Sequence, residues 1–195
     1  LSAQSVFTLN RFMKDELIRR GVDADKIDLV PNALGKAPVA SAPSQTVRKH
    51  LGITSKRVVG YIGSFTPYEG LEDLIVACAR LRKKGVDLSL LLVGSSHPTG
   101  ILDDEASCPV CRAFRNLANQ HGFENNLILH GRVPHDAVGD YYALIDLVVI
   151  PRKPMPVCEL VSPMKLLEAV AYGKCLLTSD VAPLAEFAQN AGTHL

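Results

Sequence analysis

Short apolar runs alternate with longer amphipathic stretches over most of the chain. Beyond Arg57 these runs are bounded by glycine, proline or charged residues, as buried β-strands are. The predicted strands are Val58–Ile62, Leu88–Val93, Leu127–His130, Leu147–Ile150 and Cys175–Thr178.

The stretches between the runs have helical periodicity. Leu71, Leu74, Ile75, Cys78 and Leu81 fall on one face of a helix. Further helices are predicted at about 109–121, 135–144, 163–172 and 183–190. Strands separated by helices pair in parallel through right-handed crossovers. The predicted fold class is therefore α/β, a Rossmann-like doubly wound parallel sheet, which binds ligands at the carboxyl ends of its strands.

The first part of the chain has a different pattern. Residues 1–35 read as a helix and a short strand that ends before Pro31-Asn32, and residues 36–47 are rich in proline, alanine and serine, as linkers are. We therefore divide the chain into residues 1–35 and a Rossmann-like domain over residues 36–195.

Composition narrows the classes of function. Of 195 residues, 47% are hydrophobic and 21% are charged, which suits a packed core. A net charge of +1 gives no global basic field for nucleic acid or an anionic membrane. No apolar run is long enough to span a bilayer, and the five cysteines, an odd number, favour a reducing compartment. We expect a cytoplasmic protein.

The most informative loop precedes the predicted helix at 163–172. Ser162 is a good N-cap and Pro163 a good first helical residue, so the N–H groups of Met164 and Lys165 would face an anion. Lys165 adds a cation, and Arg152 lies at the end of the preceding strand, on the same rim of the sheet. This combination suits a diphosphate. The simpler alternative is an ordinary capped helix.

Three further positions have weaker signals. Glu168 follows Lys165 by one helical turn, where a carboxylate can bind ribose hydroxyls or form a solvated ion pair. Gly63 permits close backbone approach to a ligand, although an ordinary βα loop explains it equally well. Main-chain groups around Val133 can bind a base edge, while a turn held by Pro134 is the simpler reading.

Cys108 and Cys111 form a single Cys-x-x-Cys motif. A structural zinc site needs four ligands, and the nearest extra candidates are His97 and His121. A thioredoxin-like motif opens a helix directly after the first strand, whereas this one opens a helix beyond a polar loop, Ser95 to Ser107. Neither role follows from the spacing alone.

Several segments together resemble the family-4 retaining glycosyltransferases, the group 1 glycosyl transferases. The Ser-Pro-x-Lys-x-x-Glu-Ala block is the most specific, and the resemblance covers nearly the whole chain. The segments are Val30–Ala33 (the interdomain hinge), Tyr61–Phe65 and Tyr68–Leu71 (the first loop), Gly131–Pro134, Tyr141–Tyr142, Asp146–Arg152, Ser162–Lys174, Ser179–Asp180 and Leu184–Glu186.

The resemblance implies the C-terminal domain of a two-domain GT-B enzyme, incomplete at its C-terminus. It implies a UDP- or GDP-linked sugar donor, retention of anomeric configuration, no metal and no cofactor. Residues 1–35 then lead out of a missing N-terminal domain, which binds the acceptor, a glycan, lipid or small molecule. The resemblance is also compatible with peripheral membrane association of the full-length protein.

The resemblance also implies residue roles. Arg152 and Lys165 hold the diphosphate as catalytic cations, and Glu168 binds the donor ribose. The remaining donor-binding positions are Gly63 and Ser64, which admit the phosphates, Val133, which presents main-chain groups to the base, and Ser162 and Met164 at the helix start.

Two departures from the family pattern affect these roles. The first Glu of the family's Glu-x7-Glu motif falls on Leu160, with Glu159 one position away. The common Arg and Lys of the first loop align with Ser64 and Glu69, and we expect Arg152 to supply the missing charge.

Other readings of the same residues stay open. A nucleotide-sugar epimerase or a phosphorylase-like enzyme would keep the phosphate site and add acid/base carboxylates or a cofactor lysine. A dinucleotide-binding or protein-interaction module would keep the fold without the chemistry.

Overall fold

The computed structural model describes residues 3–35, 42–96 and 108–190. Its strands are β1 (Val6–Thr8), β2 (Ile27–Leu29), β3 (Arg57–Ile62), β4 (Leu88–Val93), β5 (Leu127–His130), β6 (Leu147–Ile150) and β7 (Cys175–Thr178). Its helices are α1 (Arg11–Arg19), α2 (Gln45–His50), α3 (Leu71–Lys83), α4 (Pro109–Gln120), α5 (Val138–Leu144), α6 (Pro156–Leu160), α7 (Met164–Ala171) and α8 (Ala182–Asn190).

A five-stranded parallel sheet forms the centre of the domain, in the order β5-β4-β3-β6-β7. The five strands predicted from the apolar runs are confirmed, with β3 beginning one residue earlier than expected. The chain moves outward from β3 through β4 to β5 and then returns to place β6 on the other side of β3. The chain therefore reverses its direction of winding between the neighbouring strands β3 and β6. At this switch point a doubly wound sheet forms its ligand crevice, outside the carboxyl ends of the strands.

Both faces of the sheet are buried at its centre, whereas Cys175 and Leu177 of the edge strand β7 are exposed. Within β4, Leu90 and Leu92 pack on the side of α3 and α4, whereas Leu91 and Val93 pack on the side of α5, α7 and α8. This alternation follows from the two-residue period of a strand. The predicted apolar face of α3 is buried except at Leu81, which is 43% exposed.

The N-terminal part forms a separate small sheet, in which β1 and β2 pair in parallel and α1 connects them. The helix and the short strand predicted for residues 1–35 are confirmed as α1 and β2, while β1 was not predicted. The expectation of a linker over 36–47 is wrong at its end because Ser44 caps α2, which begins at Gln45. Residues 36–41 lie outside the described part of the chain.

The proline-containing stretch after β6 also differs from its prediction as a loop. Pro156 begins the short helix α6, because proline is suited to the first turn, where its missing N–H has no partner to lose. Over residues 3–35, 42–96 and 108–190, the structure contains no helix with the length and apolar character needed to cross a membrane.

Candidate functional site

Two loops meet at the carboxyl ends of β3 and β6. Gly70 lies in the left-handed region, with φ of 71°, and a β-carbon placed there would lie 2.1 Å from the carbonyl oxygen of Pro151. The main-chain N–H of Lys153 also donates to the carbonyl oxygen of Tyr68, at 2.9 Å. The loop after β3, residues 63–70, is therefore packed backbone to backbone against the start of the loop after β6.

Glu69 is the centre of this contact and is almost completely buried, at 3% exposure. Its Oε1 lies 2.8 Å from Nζ of Lys165 and 3.2 Å from Nη2 of Arg152. Burial raises the pKa of Glu69, but the charges and hydrogen bonds of Lys165 and Arg152 outweigh it, so the net pKa is below the usual value. We call Glu69, Arg152 and Lys165 the charge triad.

Arg152 follows the end of β6 closely, but its side chain does not lie free on the rim of the sheet. Its side chain is buried, with two guanidinium nitrogens on Glu69 and a third, Nη1, donating to the carbonyl oxygen of Val161 at 2.8 Å. The predicted contact of Arg152 with a diphosphate stays a prediction, and the guanidinium is buried at this rim. The physical reason is the anion at position 69, which attracts the guanidinium into the protein.

Lys165 contacts the first loop at its Gly63 end as well as at Glu69. Its Nζ donates to the hydroxyl of Tyr61 and lies 4.4 Å from the centre of that ring. The Tyr61 hydroxyl in turn donates to the carbonyl oxygen of Ser64, at 2.9 Å. Burial lowers the pKa of Lys165 to about 8, against the opposing effect of Glu69. A β-carbon at Gly63 would lie 3.0 Å from Nζ, so Lys165 lies against the backbone at the Gly63 end of the first loop.

The start of α7 differs from the predicted cap. The helix begins at Met164, Pro163 occupies the cap position, and no side chain caps the helix. Ser162 is not the N-cap, because its hydroxyl accepts a hydrogen bond from Nδ2 of Asn10 at 2.9 Å. The first N–H groups of a helix have no partner within it, and Met164 at this end is 38% exposed.

Glu168 lies one turn into α7 and is partly buried. Its Oε2 accepts a hydrogen bond from the hydroxyl of Tyr142 at 3.4 Å, and the ring of Tyr142 stacks on Tyr172 with centroids 4.6 Å apart. The carboxylate is thus held on the side of α7 that faces α5. Tyr142 was not among the residues predicted for the site.

A groove with a volume of about 170 Å³ runs beside the first loop. It brings three predicted residues together, Gly63, Ser64 and Val133, and the other lining residues are Ile62, Val93, Gly94, Arg132 and Val138. The groove lies between the ends of β3, β4 and β5. The predicted base contact and the predicted phosphate loop are therefore neighbours.

Glu159 and Leu160 are the positions where the family motif was disrupted. The carboxylate of Glu159 accepts a hydrogen bond from the N–H of Ala182 at 2.9 Å, which satisfies one donor at the start of α8. The carbonyl oxygen of Leu160 accepts from Asn10. Glu159 is therefore occupied by a structural contact at α8.

Sequence reasoning missed the residues that support the site, namely Tyr61, Tyr142 and Asn10. Each acts through a side-chain hydrogen bond to a distant segment, which no local spacing encodes. Among the parts of the chain that the structure describes, no three His, Cys, Asp or Glu residues are grouped as a metal site requires. His97, named above as a possible zinc ligand, lies outside those parts.

Known proteins with similar sequences are glycosyltransferases. The family described as "Glycosyl transferases group 1" matches residues 43–195. The chain is 25% identical over 152 residues to the 2-deoxystreptamine N-acetyl-D-glucosaminyltransferase of Streptomyces fradiae, covering 76% of this chain and 34% of that protein. It is also 25% identical over 130 residues to the D-inositol 3-phosphate glycosyltransferase of Segniliparus rotundus, covering 66% and 27%. The chain thus spans 34% or less of these two curated relatives.

Solved structures share the fold at low sequence identity. HepE of Anabaena, in complex with UDP-glucose, superposes with a TM-score of 0.75 at 20% identity, over 94% of this chain and 47% of that one. WaaG, a glycosyltransferase involved in lipopolysaccharide biosynthesis, gives 0.71 at 19% identity, over 95% and 46%. The sequence match over residues 43–195 and the doubly wound sheet lead to one conclusion: the chain belongs to the group 1 glycosyl transferases and has the fold of the C-terminal domain of a GT-B enzyme.

Proposed function

We propose that the full-length protein is a glycosyltransferase that takes a sugar from a UDP- or GDP-linked donor, with retention of anomeric configuration and without a metal ion. Membership of the family supports the transferase, and the resemblance to the retaining family-4 enzymes supports the stereochemistry. The acceptor, a glycan, lipid or small molecule, binds to a domain outside this chain. Peripheral association of the full-length protein with a cytoplasmic membrane surface is compatible with this proposal.

The observation that carries the proposal is the position of Lys165. Its Nζ lies between the buried carboxylate of Glu69 and Gly63, at the two ends of the loop after β3, and Lys165 itself is at the start of helix α7. An ammonium group has three donors, of which Glu69 and Tyr61 take two. The third donor and the positive end of the α7 dipole are then available for a phosphate oxygen.

In this arrangement the three residues of the charge triad have different roles. Lys165 contacts the diphosphate and stabilises the negative charge that develops as the sugar departs. Arg152 acts as a positioning residue, because three of its guanidinium nitrogens hold Glu69 and the carbonyl oxygen of Val161. Glu69 keeps Lys165 at the first loop. This revises the expectation that Arg152 itself grips the donor.

Glu168 and the groove beside Val133 complete the proposed nucleotide site. The tyrosine hydroxyl of Tyr142 uses one lone pair of the Glu168 carboxylate, which has about four acceptor positions, so the ribose hydroxyls can bind to the others. The main chain around Gly63 and Ser64 admits the phosphates, and main-chain groups around Val133 contact the base. Met164 contributes its N–H at the helix start, while Ser162 contributes through its contact with Asn10.

Calorimetric titration of the full-length protein with UDP, GDP and NAD tests the donor site. We expect UDP or GDP to bind, and Lys165→Met to weaken that binding roughly 10- to 100-fold, the loss of one hydrogen bond to a charged group. Lys153→Met is the matched control, because Lys153 lies on the same rim, half-exposed, and pairs only loosely with Glu72, at 3.7 Å.

Three outcomes would contradict the proposal: tight binding of NAD, binding of no nucleotide, or equal effects of the two lysine variants. The stereochemistry is tested separately, by nuclear magnetic resonance of the glycoside product, and an inverted anomeric centre would remove the retaining assignment alone. Because catalysis in this fold takes place between two domains, we expect these 195 residues without the rest of the protein to transfer no sugar.

A further inference from the structure

Cys108 and Cys111 lie away from the proposed donor site, on the face of the sheet covered by α3 and α4. Neither forms a disulfide, and they occupy the cap position and the third residue of helix α4. Pro109, the first helical residue, lies between the two cysteines and has a fixed backbone angle. The motif that stayed ambiguous in the sequence therefore opens a helix, as redox-active pairs do.

The two sulfurs differ in their surroundings. Sγ of Cys108 takes the place of a capping side chain, because it accepts a hydrogen bond from the N–H of Cys111 at 3.2 Å. The hydroxyl of Ser96 lies 3.7 Å from the same sulfur. Cys111 is 1% exposed among the side chains of the core, whereas Cys108 is 9% exposed at the helix start.

The electrostatics at Cys108 favour its thiolate. Burial raises the pKa of Cys108, but hydrogen bonds from the side chain and N–H of Cys111, from Ser96 and from the N–H of Val110 outweigh burial and leave the pKa below its usual value. By contrast, burial raises the pKa of the Cys78 thiol to about 12. The pair therefore consists of a thiol with a lowered pKa at the helix start and a more deeply buried thiol.

We propose that Cys108 and Cys111 form a redox-active dithiol that is reversibly oxidised to a disulfide by small disulfides of the glutathione class. Residues three apart on a helix have Cβ atoms roughly 5–6 Å apart, and a disulfide needs roughly 3.5–4.5 Å, so a tightened first turn suffices. The site is independent of the donor-binding proposal, since it uses none of the same residues.

The proposed reaction is a thiol–disulfide exchange in two steps. The Cys108 thiolate attacks one sulfur of oxidised glutathione, which releases one glutathione thiolate and leaves a mixed disulfide on Cys108. The Cys111 thiol gives its proton to the released glutathione thiolate and attacks Sγ of Cys108, and the second glutathione leaves as a thiolate that takes a proton from solvent. Two protein thiols are oxidised, and one glutathione disulfide is reduced to two thiols.

Peptide mapping by mass spectrometry after incubation of the full-length protein with oxidised glutathione tests the proposal. We expect the peptide that contains both cysteines to become lighter by two hydrogen atoms and to resist alkylation, and dithiothreitol to restore both properties. Cys175, which is exposed, and Cys78, which is buried, are internal references in the same digest. A pair that stays fully alkylatable while Cys175 becomes glutathionylated would overturn the assignment, and no variant has to fold for this result.

Two serine variants test the order of attack. With Cys111→Ser, we expect a glutathione adduct to remain on Cys108, because no second thiol displaces it. With Cys108→Ser, we expect the adduct on Cys111 to form at least about ten times more slowly, because its sulfur is buried. Equal adduct formation, or one zinc ion per chain that both variants release, would contradict a redox dithiol and favour a chemically inert or metal-binding pair.

Discussion

Oε1 of Glu69 lies 2.8 Å from Nζ of Lys165, so the loop after β3 provides the anion and helix α7 the cation of a buried pair. The resemblance to family-4 enzymes aligned a common lysine with position 69. In this chain the sign of the charge at that position is reversed, and two cations reach the same place, Arg152 from the loop after β6 and Lys165 from helix α7. A site with one carboxylate and two cations keeps a net positive charge, which a diphosphate requires.

Replacement of Glu69 by alanine should destabilise the domain strongly. The change leaves Arg152 and Lys165 buried without an anion, and removal of one partner from a buried pair costs about 3–5 kcal/mol. Urea denaturation measures the change in the free energy of unfolding. Glu72→Ala is the matched control, because Glu72 pairs with Lys153 at the surface and such pairs contribute about 0–1 kcal/mol. Equal losses in the two variants would mean that the charge triad does not stabilise the fold.

The depressed pKa of Lys165 predicts how stability depends on pH. The folded-state value is about 8, against a usual 10.5, so between these values the unfolded chain binds more protons than the folded protein. The free energy of unfolding should therefore rise with pH across this interval. Below the interval Lys165 is protonated in both states, so its contribution to the free energy of unfolding does not change with pH. Other groups also titrate there, so the quantity to measure is the difference between the wild type and Lys165→Met. A difference that stays flat from pH 7 to about 10.5 would contradict this prediction.

Local patterns in the sequence predicted the sheet, because apolar runs of strand length bounded by turn residues leave few alternatives. The strands β4, β5, β6 and β7 have the bounds that the sequence predicted. The approximate place of the site also followed, since ligands bind at the carboxyl ends of parallel strands and at the switch point. Gly63, Ser64 and Val133 meet at one groove as expected.

The contacts among the buried side chains of the site could not be predicted from local sequence patterns. Glu69, Arg152 and Lys165 are far apart in the chain and meet only because β6 pairs with β3. Ser162 had every local property of an N-cap, but the side chain of Asn10 bonds to its hydroxyl from the N-terminal segment. Such long-range contacts override capping preferences, which are worth about 1 kcal/mol.

Gly70→Ala should disrupt the contact between the two site loops. The residue has φ of 71°, and an added β-carbon would lie 2.1 Å from the carbonyl oxygen of Pro151, so both backbone strain and a clash oppose it. Gly52→Ala isolates the strain, because Gly52 has φ of 67° and a β-carbon added there would have no heavy atom within 4 Å. We expect Gly52→Ala to cost about 1–2 kcal/mol and Gly70→Ala clearly more. Thermal unfolding of both variants checks the order, and a reversed order would contradict the packing of these loops.

Asn10→Asp should loosen the contact between the N-terminal segment and the chain that leads into α7. In the wild type, Oδ1 of Asn10 accepts from the N–H of Met13, while Nδ2 donates to the carbonyl oxygen of Leu160 and to the hydroxyl of Ser162. Aspartate keeps the cap of α1, since both residues cap well, but it replaces the two donated bonds with an oxygen facing a carbonyl.

The expected loss for Asn10→Asp is about 1–3 kcal/mol, the cost of leaving polar groups without partners. Ser44→Ala provides the comparison, because it removes only the cap of α2 and should cost about 1 kcal/mol. Hydrogen exchange should place the extra opening of Asn10→Asp at α1 and at the start of α7 together. If only α1 opens, the hydrogen bonds to Leu160 and Ser162 do not couple the two segments.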